Sequence, residues 1–285
     1  MDYQTPISAE DAAGLLSQDG AHVLAGGTDL LVKLRAGVVA PRLVVDLKGV
    51  PGLRGIEHDA KGWRIGAATT CAEIGEHAAF AAAWPGVSEA LQLIGSTQIQ
   101  GRATLGGNLC NASPAADSVP ALIAAGAVCE VAGVNGQREV PVEQIITGPG
   151  RNALARGEFI LGFRLPNPRA HASDAYLRLI PRTEMDIAVV GAGVSLALDA
   201  TGICTEARVA LGAVAPTPLL VGDAAKALIG TRVDDAAVNA LGAAASAACK
   251  PIDDKRGTVT YRVKVAGVLA RRAARIAYER ARSKA

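Results

Sequence analysis

His22-Val23-Leu24-Ala25-Gly26-Gly27-Thr28-Asp29-Leu30-Leu31-Val32-Lys33-Leu34-Arg35 is the stretch on which the fold turns. Its first four residues read as a short buried strand. Asp29 to Arg35 read as a helix ending near Gly37, with Thr28 or Asp29 as its cap, and Arg42 to Leu47 returns as a strand. The Gly-Gly pair therefore falls at a strand-to-helix junction, where unpaired N–H groups and the helix dipole favour an anion. Glycine has no Cβ, so successive N–H groups there can approach a ligand closely and form a concave anion site without a lysine. About eighty residues further on, Thr104-Leu105-Gly106-Gly107-Asn108 offers a second such loop. Two loops suit a diphosphate. A tight turn alone would account for either one, since glycines punctuate most loops; the two together favour a ligand.

Common nucleotide fingerprints do not match. There is no G-x-x-x-x-G-K-[ST], which argues against a P-loop nucleoside triphosphatase. Gly191-Ala192-Gly193 approaches a dinucleotide fingerprint, but Ile187 to Leu198 runs through it as one long strand, whereas a Rossmann loop must open a helix.

The residues carry a family resemblance. L-A-G-G-T-D-L-L-V-K-L-R, Leu24 to Arg35, resembles the first flavin-binding motif of the FAD subunits of molybdenum hydroxylases. Gly101 to Leu122, G-R-A-T-L-G-G-N-L-C-N-A-S-P-A-A-D-S-V-P-A-L, resembles the second and more specific motif. Met185-Asp186-Ile187-Ala188 and Tyr261-Arg262 with Val268 to Arg272 are similar to markers of that family's C-terminal half, so the resemblance covers nearly the whole chain.

The resemblance implies an α+β protein, with a two-part FAD-binding domain of the vanillyl-alcohol-oxidase-like (PCMH) type and a C-terminal α/β domain. It implies a medium subunit that takes electrons from [2Fe-2S] clusters on a small iron-sulfur subunit and passes them through FAD to an external acceptor. It implies, too, that substrate would be hydroxylated at a molybdenum cofactor on a large subunit, in a dimer of heterotrimers. In such proteins backbone N–H groups of the two loops hold the FAD pyrophosphate. Those duties fall on Ala25, Gly26, Gly27, Thr28, Asp29 and Leu30, and on Thr104, Leu105, Gly106, Gly107 and Asn108. Asp117 takes the place of a family carboxylate that contacts FAD, and Leu161 that of an apolar flavin contact. Arg178 stands where relatives often carry a flavin-contacting lysine, and a planar guanidinium does not reproduce a point charge. G-G-T-D stands where carbon-monoxide-type members usually have histidine and serine after the glycines, which counts against carbon monoxide as the substrate.

Composition fits such a subunit. The chain has 285 residues, enough for two domains; half are apolar but only 3% aromatic, so small aliphatic side chains must fill the core. A net charge of +2 does not suggest nucleic acid as the main partner. His22, His58, His77 and His171 lack ligand spacing, and Cys71, Cys110, Cys129, Cys204 and Cys249 are scattered without C-x-x-C. No metal is expected on this chain, and Cys110, inside the second motif, reads as a packing residue. Met1 to Gln4 does not resemble an export signal, Ser8 to Asp11 resembles a helix capping box, and no apolar run reaches the ~20 residues of a membrane span, so a cytoplasmic location is expected.

Two parts are expected: 1–170 as the FAD domain (subdomains 1–53 and 54–170), and 171–285 beyond the Pro166-Asn167-Pro168 break. Strands 128–132 and 139–142 should pair across Asn135-Gly136. The second part should hold a three-stranded antiparallel meander (175–180, 187–198, 207–213), then helices at 221–229 and 234–248. The basic C-terminal run, Arg262 to Lys284, reads as a helix with an apolar stripe and arginines on its solvated or subunit-facing side. A self-contained FAD oxidoreductase and a non-redox scaffold that has lost FAD are the alternatives. The first needs an acid–base residue that the sequence does not reveal, and the second conflicts with the intact glycine pairs, Asn108 and Asp117.

Overall fold

A computed structural model describes residues 1–284. The chain opens with β1 (Asp2–Gln4), α1 (Ala9–Leu16), β2 (Ala21–Leu24), α2 (Leu30–Arg35) and β3 (Leu43–Asp46). All three strands are parallel in the order β1-β3-β2. Central β3, Leu43-Val44-Val45-Asp46, is buried throughout, as a strand covered on both faces requires. Ser8 caps α1 by accepting from the Asp11 N–H.

The second layer contains β4 (Ile56–Asp59), β5 (Gly62–Gly66), α3 (Cys71–Glu76), α4 (Ala78–Ala83), α5 (Pro85–Gln92), α6 (Thr97–Gln100), α7 (Leu105–Cys110) and α8 (Ser118–Ala124). Then come β6 (Val128–Gly133), β7 (Gly136–Pro141), the short pair β8 (Ile146–Gly148) and β9 (Arg151–Asn152), and β10 (Phe159–Leu165). An antiparallel sheet runs β4-β5-β10-β6-β7. The β6–β7 hairpin turns at Val134-Asn135, one residue before the expected Asn135-Gly136, because Gly136 already pairs with Gly133 as the first residue of β7, at φ +102°, a backbone region that favours glycine. Thr104-Leu105-Gly106-Gly107-Asn108, read as a loop from its glycines, is instead the cap and first turn of α7, with Thr104 Oγ1 accepting from the Gly107 N–H at 3.1 Å.

The C-terminal part has β11 (Ala172–Leu179), β12 (Val190–Leu198), β13 (Cys204–Gly212), β14 (Leu219–Leu220), α9 (Gly222–Lys226), α10 (Asp235–Ala248) and α11 (Val259–Ser283). Its antiparallel sheet, β11-β12-β13-β14, has four strands where three were expected. The extra one is only two residues long, too short for its side chains to alternate visibly.

Two apolar clusters fill the molecule. One surrounds Phe80, Phe163, Ile65 and Leu122; the other lies between the C-terminal sheet and its helices. Ala270, Ala273, Ala274 and Ala277 of α11 are fully buried there, so small side chains do fill that core. Arg262 departs from the expected solvated face. It is buried, donating to Val189 O at 2.6 Å, Ala213 O at 3.2 Å and Asp254 Oδ1 at 2.7 Å. The two parts meet where α8 lies on β12 and β13. A Cβ at Gly193 would come within 2.6 Å of Pro120 O, and one at Gly212 within 2.7 Å of Pro120 Cγ. Among the described residues no helix is long and apolar enough to cross a membrane.

Candidate functional site

A cleft of about 960 Å³ runs between the first parallel sheet, the α7–α8 segment and the edge of the C-terminal part. That volume lies at the upper end for ligand pockets, which suits an extended ligand. Ala25, Gly26, Gly27, Thr28, Asp29 and Leu30 line it from one side. Thr104, Gly106, Gly107, Asn108 and Asp117 line it from the other.

The first turn is built for close approach. Gly27 has φ +79°, and a Cβ at Gly26 would sit 2.0 Å from the Arg102 carbonyl oxygen, so the two glycine segments cross in direct backbone contact. The N–H groups of Gly26 through Leu30 find no acceptor among the described residues. The sequence left the capping of α2 to Thr28 or Asp29. Asp29 is the N-cap by position but makes no capping bond; its carboxylate instead accepts from Asn111 Nδ2 at 3.0 Å. Lys48 Nζ donates to Ala25 O at 3.1 Å and pairs with Asp46, which fixes the turn from behind. The result is a row of free donors, with a helix opening beside them, facing the cleft.

The second segment differs. Leu105 N–H donates to Thr69 O, Gly106 N–H to Ala67 O, Gly107 N–H to Thr104 Oγ1 and Asn108 N–H to Thr104 O. The expected set of free N–H donors is therefore absent between Leu105 and Asn108, because helix capping and the Ala67–Thr69 segment already satisfy them. What these residues offer is a wall without Cβ atoms at Gly106 and Gly107, and one oriented amide. Asn108 Oδ1 accepts from Ser118 Oγ at 2.7 Å, leaving Nδ2 as its available donor.

Asp117 is the polar side chain at the start of α8. Burial pushes its carboxyl up to about 6, against the opposing pull of the Arg178 guanidinium and the Tyr176 hydroxyl. Arg178 Nη1 donates to Oδ2 at 2.7 Å, and Tyr176 OH to Oδ1 at 2.9 Å. Arg178 itself lies behind the wall rather than in it. Leu105 is likewise absent from the lining and fully buried. Leu161 is also absent; it is the extra residue of a β-bulge between β10 and β6, while its neighbours Phe159 and Ile160 reach the cleft.

Several lining residues were not singled out as contacts from the sequence. Lys33 Nζ donates to Asn111 Oδ1 at 2.6 Å, so Lys33, Asn111 and Asp29 tie α2 to the end of α7 and bring a positive charge to the cleft. Both motifs contain these residues, and the i, i+4 spacing of Asp29 and Lys33 on one helix face was the available signal. Met185, Asp186 and Ile187 close the cleft from the C-terminal part. The Ile187 N–H and the Arg256 guanidinium hold the Asp186 carboxyl below the usual carboxylate range. Cys110 also lines the wall, and burial pushes its thiol up to about 12, which makes it an inert packing residue.

The long cleft, the free donors at a helix opening and the Cβ-free wall fit a dinucleotide diphosphate such as FAD. Comparison with known proteins agrees. Residues 1–168 match the family model described as "FAD binding domain in molybdopterin dehydrogenase", and residues 175–277 match "CO dehydrogenase flavoprotein C-terminal domain". The carbon monoxide dehydrogenase medium chain of Afipia carboxidovorans is 35% identical over 99% of this chain and 98% of its own. A putative xanthine dehydrogenase FAD-binding subunit of Escherichia coli is 36% identical over 76% of this chain and 75% of its own. Among solved structures, carbon monoxide dehydrogenase from Hydrogenophaga pseudoflava superimposes with a TM-score of 0.94, at 32% identity and 98% coverage of both chains. Quinoline 2-oxidoreductase from Pseudomonas putida 86 does so with a TM-score of 0.90, at 27% identity, covering 99% of this chain and 98% of that one. The chain belongs to the FAD-binding medium subunits of the molybdenum hydroxylases.

Proposed function

We propose that this chain is the electron-exit subunit of a three-subunit molybdenum hydroxylase. A small subunit with [2Fe-2S] clusters would feed it, a large subunit with the molybdenum cofactor would hydroxylate the substrate, and two heterotrimers would pair. The complex would work in the cytoplasm. FAD, when bound, supplies single-electron uptake coupled to two-electron release. This chain's residues bind and orient it. The N–H groups of Gly26 through Leu30, with Lys33 nearby, take the diphosphate. Gly106 and Gly107 let the cofactor lie against α7, Asn108 Nδ2 donates to it, and Asp117 accepts from it, backed by Arg178. The bulge at Leu161 sets the apolar side, which Phe159 and Ile160 form. Residues 1–170 form the FAD domain, with subdomains 1–53 and 54–170, and residues 171–285 form the second domain.

The observation that carries this reading is the row of free N–H groups opening α2 onto a cleft whose opposite wall is glycine. An absorption spectrum of the protein purified with its native partners tests it. The expected result is flavin released as FAD on denaturation, with cluster absorbance and molybdenum in the co-purifying chains. FAD without partners but with turnover of some substrate would replace the reading with a self-contained oxidoreductase. A colourless protein that takes up no added FAD would leave a scaffold.

A further inference from the structure

Asp117 lines the cleft, yet nothing in its own segment orients it. It precedes α8 with helical backbone angles and makes no capping bond with its side chain. Both carboxylate oxygens are instead held from the C-terminal part, by Tyr176 OH and Arg178 Nη1, which lie two residues apart on one face of β11. Neither Tyr176 nor Arg178 lines the cleft, so both act through Asp117. On the paired strand, Tyr176 lies opposite Gly193 and Arg178 opposite Gly191. A Cβ at Gly191 would come within 2.5 Å of the Tyr176 hydroxyl oxygen, and one at Gly193 would strike Pro120 at the start of α8. The glycine pair that imitates a dinucleotide fingerprint thus clears room for the tyrosine and for the helix that begins at Asp117.

We propose that Tyr176 is a positioning residue for the cofactor: from the second domain its hydroxyl fixes the Asp117 carboxylate as an oriented acceptor for an N–H or O–H donor of FAD. The inference rests on the reading of Asp117 as a cofactor contact. Each carboxylate oxygen, already holding one donor, keeps a lone pair for a second. Arg178 supplies the charge and Tyr176 the direction. They are the titratable groups acting on the carboxyl, and both favour its ionised form. Removing the hydroxyl therefore both frees the carboxylate to rotate and raises its tendency to be protonated.

The test is titration of FAD into the full-length chain stripped of flavin, read by flavin fluorescence at about pH 6.5 and about pH 8.5, where the carboxyl's ionisation differs. Native protein, Tyr176→Phe, Asp117→Asn and the double variant are compared, with circular dichroism and melting temperature as controls for the fold. Tyr176→Phe should bind FAD about tenfold more weakly at the lower pH, the scale of one charge-assisted hydrogen bond, and recover part of that loss at the higher pH. Asp117→Asn should weaken binding at least as much without the pH dependence, and Tyr176→Phe should add nothing to it. If Asp117→Asn weakens binding while Tyr176→Phe binds like the native chain, the positioning role is overturned. A further loss in the double variant also overturns it, because Tyr176 would then act by packing alone. If Asp117→Asn binds FAD like the native chain at both pH values, the reading of Asp117 as a contact fails first, and the inference fails with it.

Discussion

Gly26 and Gly107 stand on opposite walls of the cleft, and replacing each by alanine should weaken FAD binding while only the first costs stability. The Gly26 Cβ would fall 2.0 Å from Arg102 O, 2.8 Å from Arg102 C and 3.1 Å from Ala103 Cα, whereas ordinary contacts begin near 3.4 Å. All three obstacles are backbone, so no rotamer relieves them, and the turn must move by more than an ångström. A hydrogen bond of about 2.9 Å does not survive such a shift. Losing two charged bonds to a phosphate, each worth about 1.5–3 kcal/mol, would weaken FAD binding by roughly 10²- to 10⁴-fold. Overpacking adds about 1–3 kcal/mol of lost stability. The Gly107 Cβ meets only Thr104 Oγ1, at 2.9 Å. Disturbing that cap costs about 1 kcal/mol, while alanine in place of glycine inside a helix returns about 0.5–1 kcal/mol. Gly107→Ala should therefore melt within a few degrees of the native chain yet hold FAD less tightly, and a bulky side chain there should abolish retention. Flavin content after purification, FAD titration of the stripped chain and thermal melts measure both. If Gly26→Ala kept native affinity and melting temperature, the crossing of the two glycine segments would not be what shapes the site. Unchanged flavin content in Gly107→Leu would remove α7 from the binding wall.

Two further outcomes concern the framework. Burial pushes the Asp174 carboxyl up to about 7, although it accepts from the Gly86 and Val87 N–H groups at the start of α5. The folded state then binds this proton more tightly than the unfolded chain, so Asp174's contribution to stability falls as pH rises from about 4 through 7. Asp174→Asn should flatten that slope by at least about 1 kcal/mol between pH 5 and 7 in denaturant titrations, and an unaltered slope would refute it. Arg262→Met orphans Val189 O and unpairs Asp254. We expect a loss of about 3 kcal/mol, the low end for breaking a buried ion pair because Asp254 keeps access to water, and a melting temperature lower by roughly 6–12 °C; an unchanged melt would mean that the guanidinium is dispensable.

Local pattern made much of this legible. The opening strand–turn–helix, the hairpin of β6 and β7 (its turn one residue earlier than read) and the long strand through Gly191 and Gly193 each follow from periodicity and turn chemistry within a dozen residues. Where the reading failed, long-range packing decided the outcome. A glycine pair disfavours a helix by about 1 kcal/mol per residue, so Leu105–Cys110 read as a loop. Its helix survives because Thr104 caps it and Ala67 and Thr69 accept the N–H groups of Gly106 and Leu105. The same bonds explain why the second segment does not mirror the first as a donor nest. No window of sequence shows which N–H groups a distant carbonyl will claim. Arg262 is similar: eight basic residues on one helical run suggest a wet face, and only the carbonyls of Val189 and Ala213 reveal that one of them belongs in the core.

The division of labour across the cleft follows from these bonding accounts. FAD carries its charge in the diphosphate at its middle, between the flavin and adenosine halves, and the run of consecutive free N–H groups lies on one wall, at Gly26 through Leu30. The α7 wall, with its N–H groups spent, can only admit the cofactor by staying flat and offering Asn108. Orientation of the two halves must then come from side chains, and one buried candidate, Asp117, is held by residues some sixty positions away on a different sheet. Glycine inside a strand weakens it, having no side chain to pack, yet Gly191 and Gly193 sit opposite the two side chains that reach Asp117. If Asp117 contacts FAD as proposed, the seam between the two parts is a component of the cofactor site. Loosening it at Gly193, by a Cβ that would meet Pro120 O at 2.6 Å, should release FAD before either apolar core unfolds.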